Sequence, residues 1–145
     1  MSKVRILVVE DIDSWRETVS SMLRSEPSFE IICEVADGGE AVLMTAQLQP
    51  TIVLMDIGLP RLSGIEAAKW IPKLAPKTRI IFLSEEQDLE VVQAALNLGC
   101  GYVLKCDAES DLVAAIRSVA TGEAFISRQL TGLGLIVNCQ QDSKQ

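Results

Sequence analysis

Four short apolar runs each end on residues that can do chemistry. Glu10 and Asp11 follow Ile6-Leu7-Val8-Val9, with Asp13 close behind. Asp56 follows Ile52-Val53-Leu54-Met55, Ser84 follows Ile80-Ile81-Phe82-Leu83, and Lys105 follows Tyr102-Val103-Leu104. Clustered carboxylates repel one another and attract a cation, and oxygen ligands with open water positions suit Mg²⁺. A carboxylate can also attack phosphorus and carry the group as an aspartyl phosphate. Lysine supplies a compact positive charge to phosphoryl oxygens, and a hydroxyl donates a hydrogen bond to another. Brought together, the set amounts to a phosphoryl-transfer site that works by positioning and charge neutralisation.

The elements that must bring them together are legible. The runs do not alternate apolar with polar, which fits strands covered on both faces of a parallel sheet. Ile31-Ile32-Cys33-Glu34-Val35 is a weaker fifth run. Between the runs lie helical signals. Ser14 and Glu17 have capping-box spacing, Asp37-Gly38-Gly39-Glu40 opens a second helix, and Ser63 with Glu66 starts a third. The third is expected to fray or kink near Pro72, which removes an internal hydrogen bond. Asp88 caps a fourth that runs to Gly99, and Asp107 caps a fifth that stops at Gly122. Strand and helix thus alternate five times, which predicts a doubly wound α/β fold. Sites in such folds form beyond the carboxyl ends of the strands, where the polar residues stand.

Composition narrows the chemistry further. The 145 residues are 48% hydrophobic and 23% charged, the profile of one globular domain. The net charge of −7 argues against nucleic-acid binding by this chain alone, which takes a basic patch. The absence of His excludes Ser-His-Asp and Cys-His nucleophiles, His-ligated zinc and a phosphohistidine carried here. Cys33, Cys100, Cys106 and Cys139 contain no CxxC pair, and no secretory signal precedes them, so they read as inert free thiols. No uncharged apolar run reaches membrane-spanning length. Trp15 and Trp70 read as packing residues, though Trp15 stands close enough to the acid pair to report metal binding.

The chain resembles the receiver domain of two-component response regulators. The matching features are Glu10-Asp11, Asp56-Ile57-Gly58-Leu59-Pro60 with Gly64, Ser84, and Gly101-Tyr102-Val103-Leu104-Lys105. The segment 111–127 is similar to the fifth helix and exit of the NarL/FixJ (LuxR-type) subfamily. The resemblance implies a flavodoxin-like, CheY-like fold: a five-stranded parallel sheet of order 2-1-3-4-5 with five helices. Residues 1–123 would form the receiver, and 124–145 a C-terminal extension or linker. Its start, Ala124-Phe125-Ile126-Ser127, can pack back on the domain, and its polar end, 140–145, is expected to be disordered. The resemblance also implies that Asp56 accepts a phosphoryl group from a sensor histidine kinase, and that Glu10, Asp11, Asp56 and the Gly58 carbonyl hold Mg²⁺. Ser84 and Lys105 would engage the phosphoryl group, with Tyr102 as the switch aromatic that swings inward when Ser84 moves. The face around helix four, strand five and helix five would then change. Such a protein is a cytoplasmic bacterial signalling protein, not an enzyme beyond its own phosphorylation and dephosphorylation, and a homodimer is a candidate assembly. Members of the subfamily usually carry a helix-turn-helix DNA-binding domain next, and residues 128–145 are too few for one. A stand-alone receiver and a piece of a longer regulator both remain open.

Glu85 departs from the family pattern, which has Ala or Gly behind the strand-four hydroxyl, and a carboxylate there would repel an incoming phosphate. Bland roles compete with the sharp ones: Glu10-Asp11 as helix-opening acids, Ser84 as an N-cap with Gln87 completing the box, Lys105 as a solvated charge, Tyr102 as plain core. Three other functions compete with the receiver. A haloacid-dehalogenase-like hydrolase needs an Asp where Gly58 stands, and a flavodoxin-like carrier would have its FMN phosphate repelled by Glu10-Asp11. A pseudo-receiver acting as an interaction module has only Glu85 in its favour.

Overall fold

Each apolar run of the sequence is a strand. A computed structural model describes residues 3–139. Its elements run β1 (Val4–Val9), α1 (Asp13–Arg24), β2 (Phe29–Val35), α2 (Gly38–Leu48), β3 (Ile52–Met55), α3 (Gly64–Leu74), β4 (Arg79–Ser84), α4 (Leu89–Leu96), β5 (Gly101–Leu104), α5 (Ala108–Ala120) and β6 (Phe125–Ile126). The sheet is parallel throughout, in the order β2-β1-β3-β4-β5-β6. The five expected strands therefore stand in the expected order, and a sixth extends the edge. That strand is the Phe125-Ile126 pair, whose Gly101↔Phe125 and Tyr102↔Ile126 register lays the segment after α5 against β5. Two residues are too short a run to carry a strand signal of their own.

The uninterrupted apolar character of the strands comes from burial on both faces. Leu7, Val9, Val53, Met55, Ile80, Phe82, Tyr102 and Leu104 face a core shared with Ala41, Ala67, Ile71 and Val92. The alternate residues Ile6, Val8, Ile52, Leu54, Ile81, Leu83 and Val103 face a second core with Val19, Leu23, Leu112, Ile116 and Val119. One face is thus closed by α2, α3 and α4, the other by α1 and α5.

The helix starts divide. Asp37, Ser63 and Asp88 cap α2, α3 and α4 as predicted, accepting from the Glu40, Glu66 and Glu90 backbone N–H groups. Ser14 and Asp107 do not cap: α1 begins at Asp13, and neither α1 nor α5 has a side-chain cap bond. Arg16 binds the loop before α1 instead, and Asp107 turns to Gln129. The third helix passes Pro72 and ends at Leu74, and α4 ends at Leu96 rather than Gly99.

Residues after α5 complete the structure. Ser127 is fully buried, donating its backbone N–H to the Tyr102 carbonyl and accepting the Leu104 N–H at its hydroxyl. The chain then returns along α4, and Cys139 forms a disulfide with Cys100. This corrects the reading of all four cysteines as free thiols; only Cys33 and Cys106 are free. A separation of 39 residues carries no spacing signal, and it is the returning tail that brings the two Cα atoms within 4.7 Å. The expected disorder of 140–145 lies outside the described residues. Among the described residues, no helix is long and apolar enough to cross a membrane.

Candidate functional site

The carboxyl ends of β1, β3, β4 and β5 converge on one cleft of about 300 Å³, lined among others by Asp11, Asp56, Gly58, Ser84, Glu85 and Lys105. Oxygens of Glu10, Asp11 and Asp56 lie within 4.8 Å of one another. Lys105 holds the floor: its Nζ donates to Glu10 Oε1 at 2.8 Å and to Asp56 Oδ2 at 3.1 Å, and all three side chains are nearly inaccessible. The second oxygens are also engaged, Glu10 Oε2 by the Ile12 N–H at 3.1 Å and Asp56 Oδ1 by the Ile57 N–H at 2.7 Å. Asp11 stays exposed at the mouth.

Three carboxylates against one ammonium leave two uncompensated negative charges. That deficit matches a divalent cation, and a donor set of oxygens alone, open to water at Asp11, suits a hard one such as Mg²⁺. Burial pushes the Glu10 carboxyl above its usual range; the Lys105 hydrogen bond and the Ile12 N–H oppose this, and the Asp56 charge adds to it. Burial pulls the Lys105 ammonium down, but the hydrogen bonds and charges of Glu10 and Asp56 outweigh it and leave it raised. A proton on Glu10 removes a ligand. Cation affinity is therefore expected to fall, on acidification, at a higher pH than for an ordinary carboxylate. Trp15 offers the readout, because Lys105 Nζ sits 4.9 Å from the centre of its ring. Titrating Mg²⁺ against tryptophan emission should give a saturable change that weakens toward acid and vanishes in Trp15→Phe. A pH-independent midpoint would contradict it. Trp70, expected as a packing residue, is instead half exposed on α3 with the Lys73 ammonium over its ring.

Asp13 does not join the acid cluster. It pairs with Arg16 at 2.7 Å on the surface, because α1 starts there and turns its side chain outward. Arg16 also donates to the Glu10 carbonyl at 2.8 Å, fixing the loop that presents the acid pair. The sequence reading missed this residue; its signal was a guanidinium one helical turn beyond an acidic strand end.

Ser84 closes β4 and is buried. Its hydroxyl accepts the Glu86 N–H at 3.2 Å, so it is not the cap of α4, a role Asp88 takes. Tyr102 is fully buried and donates its hydroxyl to the Glu86 carbonyl at 2.8 Å. Burial pushes its phenol up to about 12, with the Ser84 hydroxyl opposing and the Glu86 and Asp56 charges adding. The ring already occupies the inward position that the sequence reading assigned to a switched state. Glu85 lies exposed on the rim of the cleft, where its charge meets anything entering.

Two glycines let the Asp56 loop pass. A Cβ on Gly64 would lie 1.9 Å from the Asp56 carbonyl oxygen, and one on Gly38 would lie 1.9 Å from that of Leu62.

Residues 6–117 match the family model described as the response regulator receiver domain. The transcriptional regulatory protein DegU of Brevibacillus brevis is 34% identical over 132 residues, covering 90% of this chain and 56% of its own. LiaR of Bacillus subtilis is 30% identical over 130 residues, 89% of this chain and 62% of its own. The chain spans about six-tenths of the length of these relatives. A two-component response regulator of the LuxR family from Aurantimonas superimposes with a TM-score of 0.84 at 31% identity, covering 88% of this chain and 92% of that one. The isolated receiver of RcsB from Salmonella enterica reaches 0.84 at 21% identity, with 91% and 99% covered, a likeness of fold.

Proposed function

This chain belongs to the response regulator receiver domain family, in its NarL/FixJ (LuxR-type) branch, and on that premise we propose that Asp56 is its phosphoacceptor. A carboxylate oxygen of Asp56 attacks the phosphorus of a kinase phosphohistidine. The new O–P bond forms as the P–N bond breaks, and the electron pair leaves with the imidazole. Glu10, Asp11, Asp56 and the Gly58 carbonyl would hold Mg²⁺, which supplies charge neutralisation at the phosphoryl oxygens. Lys105 follows the transferred group with its ammonium, and Ser84 turns its hydroxyl from the Glu86 N–H toward another phosphoryl oxygen. The observation that carries the reading is the buried Lys105 bridging Glu10 and Asp56 in an oxygen-lined cleft.

With Tyr102 already inside, the switch is a shift of population. Phosphorylation would draw Ser84 away, and the loop to Glu86 would follow, repositioning α4 against β5 and α5. The chain acts as a cytoplasmic signalling protein that catalyses only its own phosphotransfer and hydrolysis. Its partner is a sensor histidine kinase, and a homodimer is a candidate assembly. The charge of −7 argues against DNA contact by this chain alone, so control of transcription, the role that relatives named transcriptional regulatory proteins carry in their names, would need an output domain joined to a receiver of this kind.

Acetyl phosphate with Mg²⁺ should add one phosphoryl group to the wild type and none to Asp56→Asn, read by intact mass. An equal adduct on both moves the acceptor elsewhere. No adduct on the wild type favours an interaction module that takes no phosphate, for which Glu85 is the one argument. Removing the rim charge in Glu85→Ala should speed labelling about tenfold, the scale of a kcal/mol or so of relieved repulsion; an unchanged rate would remove Glu85 as an obstacle.

A further inference from the structure

The last described segment is a strap. From Thr131 it runs back along α4, and Leu135 and Val137 pack against the core that holds Val92, Leu96 and Tyr102. Gln93 grips its backbone from both sides, donating from Nε2 to the Ile136 carbonyl at 2.7 Å and accepting the Ile136 N–H at 2.9 Å. The Asn138 N–H reaches the Leu96 carbonyl at 3.1 Å, one of the acceptors that the end of α4 leaves without a helical partner. Cys139 then bonds to Cys100, the residue before β5.

Apart from that bond the strap is weakly held. Its side-chain hydrogen bonds are exposed, and Leu133 and Ile136 are 49% and 63% accessible. Gly132 and Gly134 adopt φ of +78° and +85°, and a Cβ built on either would meet nothing within 4 Å. Such a segment opens readily once its covalent anchor is cut. Of the two residues of that anchor, Cys139 is half-buried and Cys100 is buried. What it covers matters, because α4 comes directly after the Ser84 to Asp88 loop.

We propose that Cys100–Cys139 is a reversible thiol–disulfide modification site that fastens the C-terminal strap over α4. The proposal rests on the cytoplasmic receiver reading for its setting, since disulfides in a reducing compartment are mostly transient and redox-sensing. The reductant is a dithiol. Its first thiolate attacks the sulfur of Cys139, the less buried of the two residues, and the Cys100 thiolate leaves and takes a proton. The second thiolate resolves the mixed disulfide, forming the reductant's own disulfide and releasing Cys139, which takes the second proton. Two electrons and two protons thus pass to the pair, and oxidation reverses the exchange. With the strap released, α4 is freer to shift and the phosphorylated arrangement becomes easier to populate.

The test uses the full chain, oxidised or reduced with dithiothreitol, beside Cys139→Ser and a Cys106→Ser control. Amide exchange at Ile136, Asn138 and α4 should rise about tenfold on reduction and return on reoxidation. Cys139→Ser should exchange like the reduced wild type in both states, and Cys106→Ser should behave as wild type. Beryllofluoride with Mg²⁺ should bind about fivefold more tightly to the reduced form. Equal exchange in the two states, or equal beryllofluoride affinity, overturns the proposal. So does a bond that stays closed across glutathione mixtures of cytosolic ratio. If beryllofluoride binds neither form, the receiver reading fails, and amide exchange with the glutathione titration still decides the strap.

Discussion

Lys105→Ala should destabilise the metal-free protein by about 3 kcal/mol at neutral pH, because it leaves the buried Glu10 and Asp56 carboxylates facing each other without a counter-charge. The size of the loss should depend on pH in a way that identifies its cause. Glu10 already has a folded-state pKa above its ordinary value, mainly through burial. A raised carboxyl pKa means the fold favours the protonated form, so stability is lost as pH rises through that value. Removing Lys105 removes the hydrogen bond that holds the Glu10 pKa down, and raises it further. The gap between wild type and variant should therefore be small in acid, where Glu10 is neutral, and widen toward neutrality. Lys105 itself is raised, so its share persists through neutral pH and fades only as pH climbs through its folded value above 10.5. Mg²⁺ should recover much of the loss by replacing the missing charge. Urea unfolding at acidic and neutral pH, with and without Mg²⁺, reads all of this; a loss independent of pH would mean that packing around the lysine stem dominates. Acetyl phosphate labelling should fall about a hundredfold with the ammonium gone, the scale of one lost charge-stabilising donor.

Gly64→Ala is the second large effect, and it is steric. The new Cβ would stand 1.9 Å from the Asp56 carbonyl oxygen, so either α3 or the Asp56 backbone must move by more than an ångström. The obstacle is backbone, with no flexible side-chain end to yield. We expect about 3 kcal/mol of destabilisation, at the upper end of overpacking costs, seen as a lower urea midpoint. A folded fraction should also label slowly, because the Asp56 carboxylate moves with its carbonyl. A stable, fully active Gly64→Ala protein would show that the loop has slack.

The residues at the strand ends were legible because the parallel sheet imposes a rule: the residue just past an apolar run lies at the carboxyl edge. Glu10, Asp11, Asp56, Ser84 and Lys105 met in one cleft for that reason. The strand order came from the family resemblance and stands. Other features depended on what the folded surface does. Ser14 has capping-box spacing, yet α1 begins one residue earlier and Arg16 ties the loop. Asp13 sits among acids in the chain and points away from them in space. Two-residue β6 is a strand only because β5 offers an open edge. The disulfide joins positions 39 residues apart through a tail whose path along α4 is set by Gln93, Leu96 and Asn97, none of which carries a pattern that a sequence can announce.

On the proposed function one carboxylate, that of Asp56, takes the phosphoryl group. Borohydride reduces an acyl phosphate at an aspartate to homoserine, so treating the labelled wild-type chain and mapping its peptides locates the acceptor by residue. Homoserine is expected at position 56 alone, dependent on Mg²⁺ and absent without acetyl phosphate. Homoserine at position 11 or 13, or an unmodified position 56 in a chain whose mass shows it phosphorylated, would contradict it.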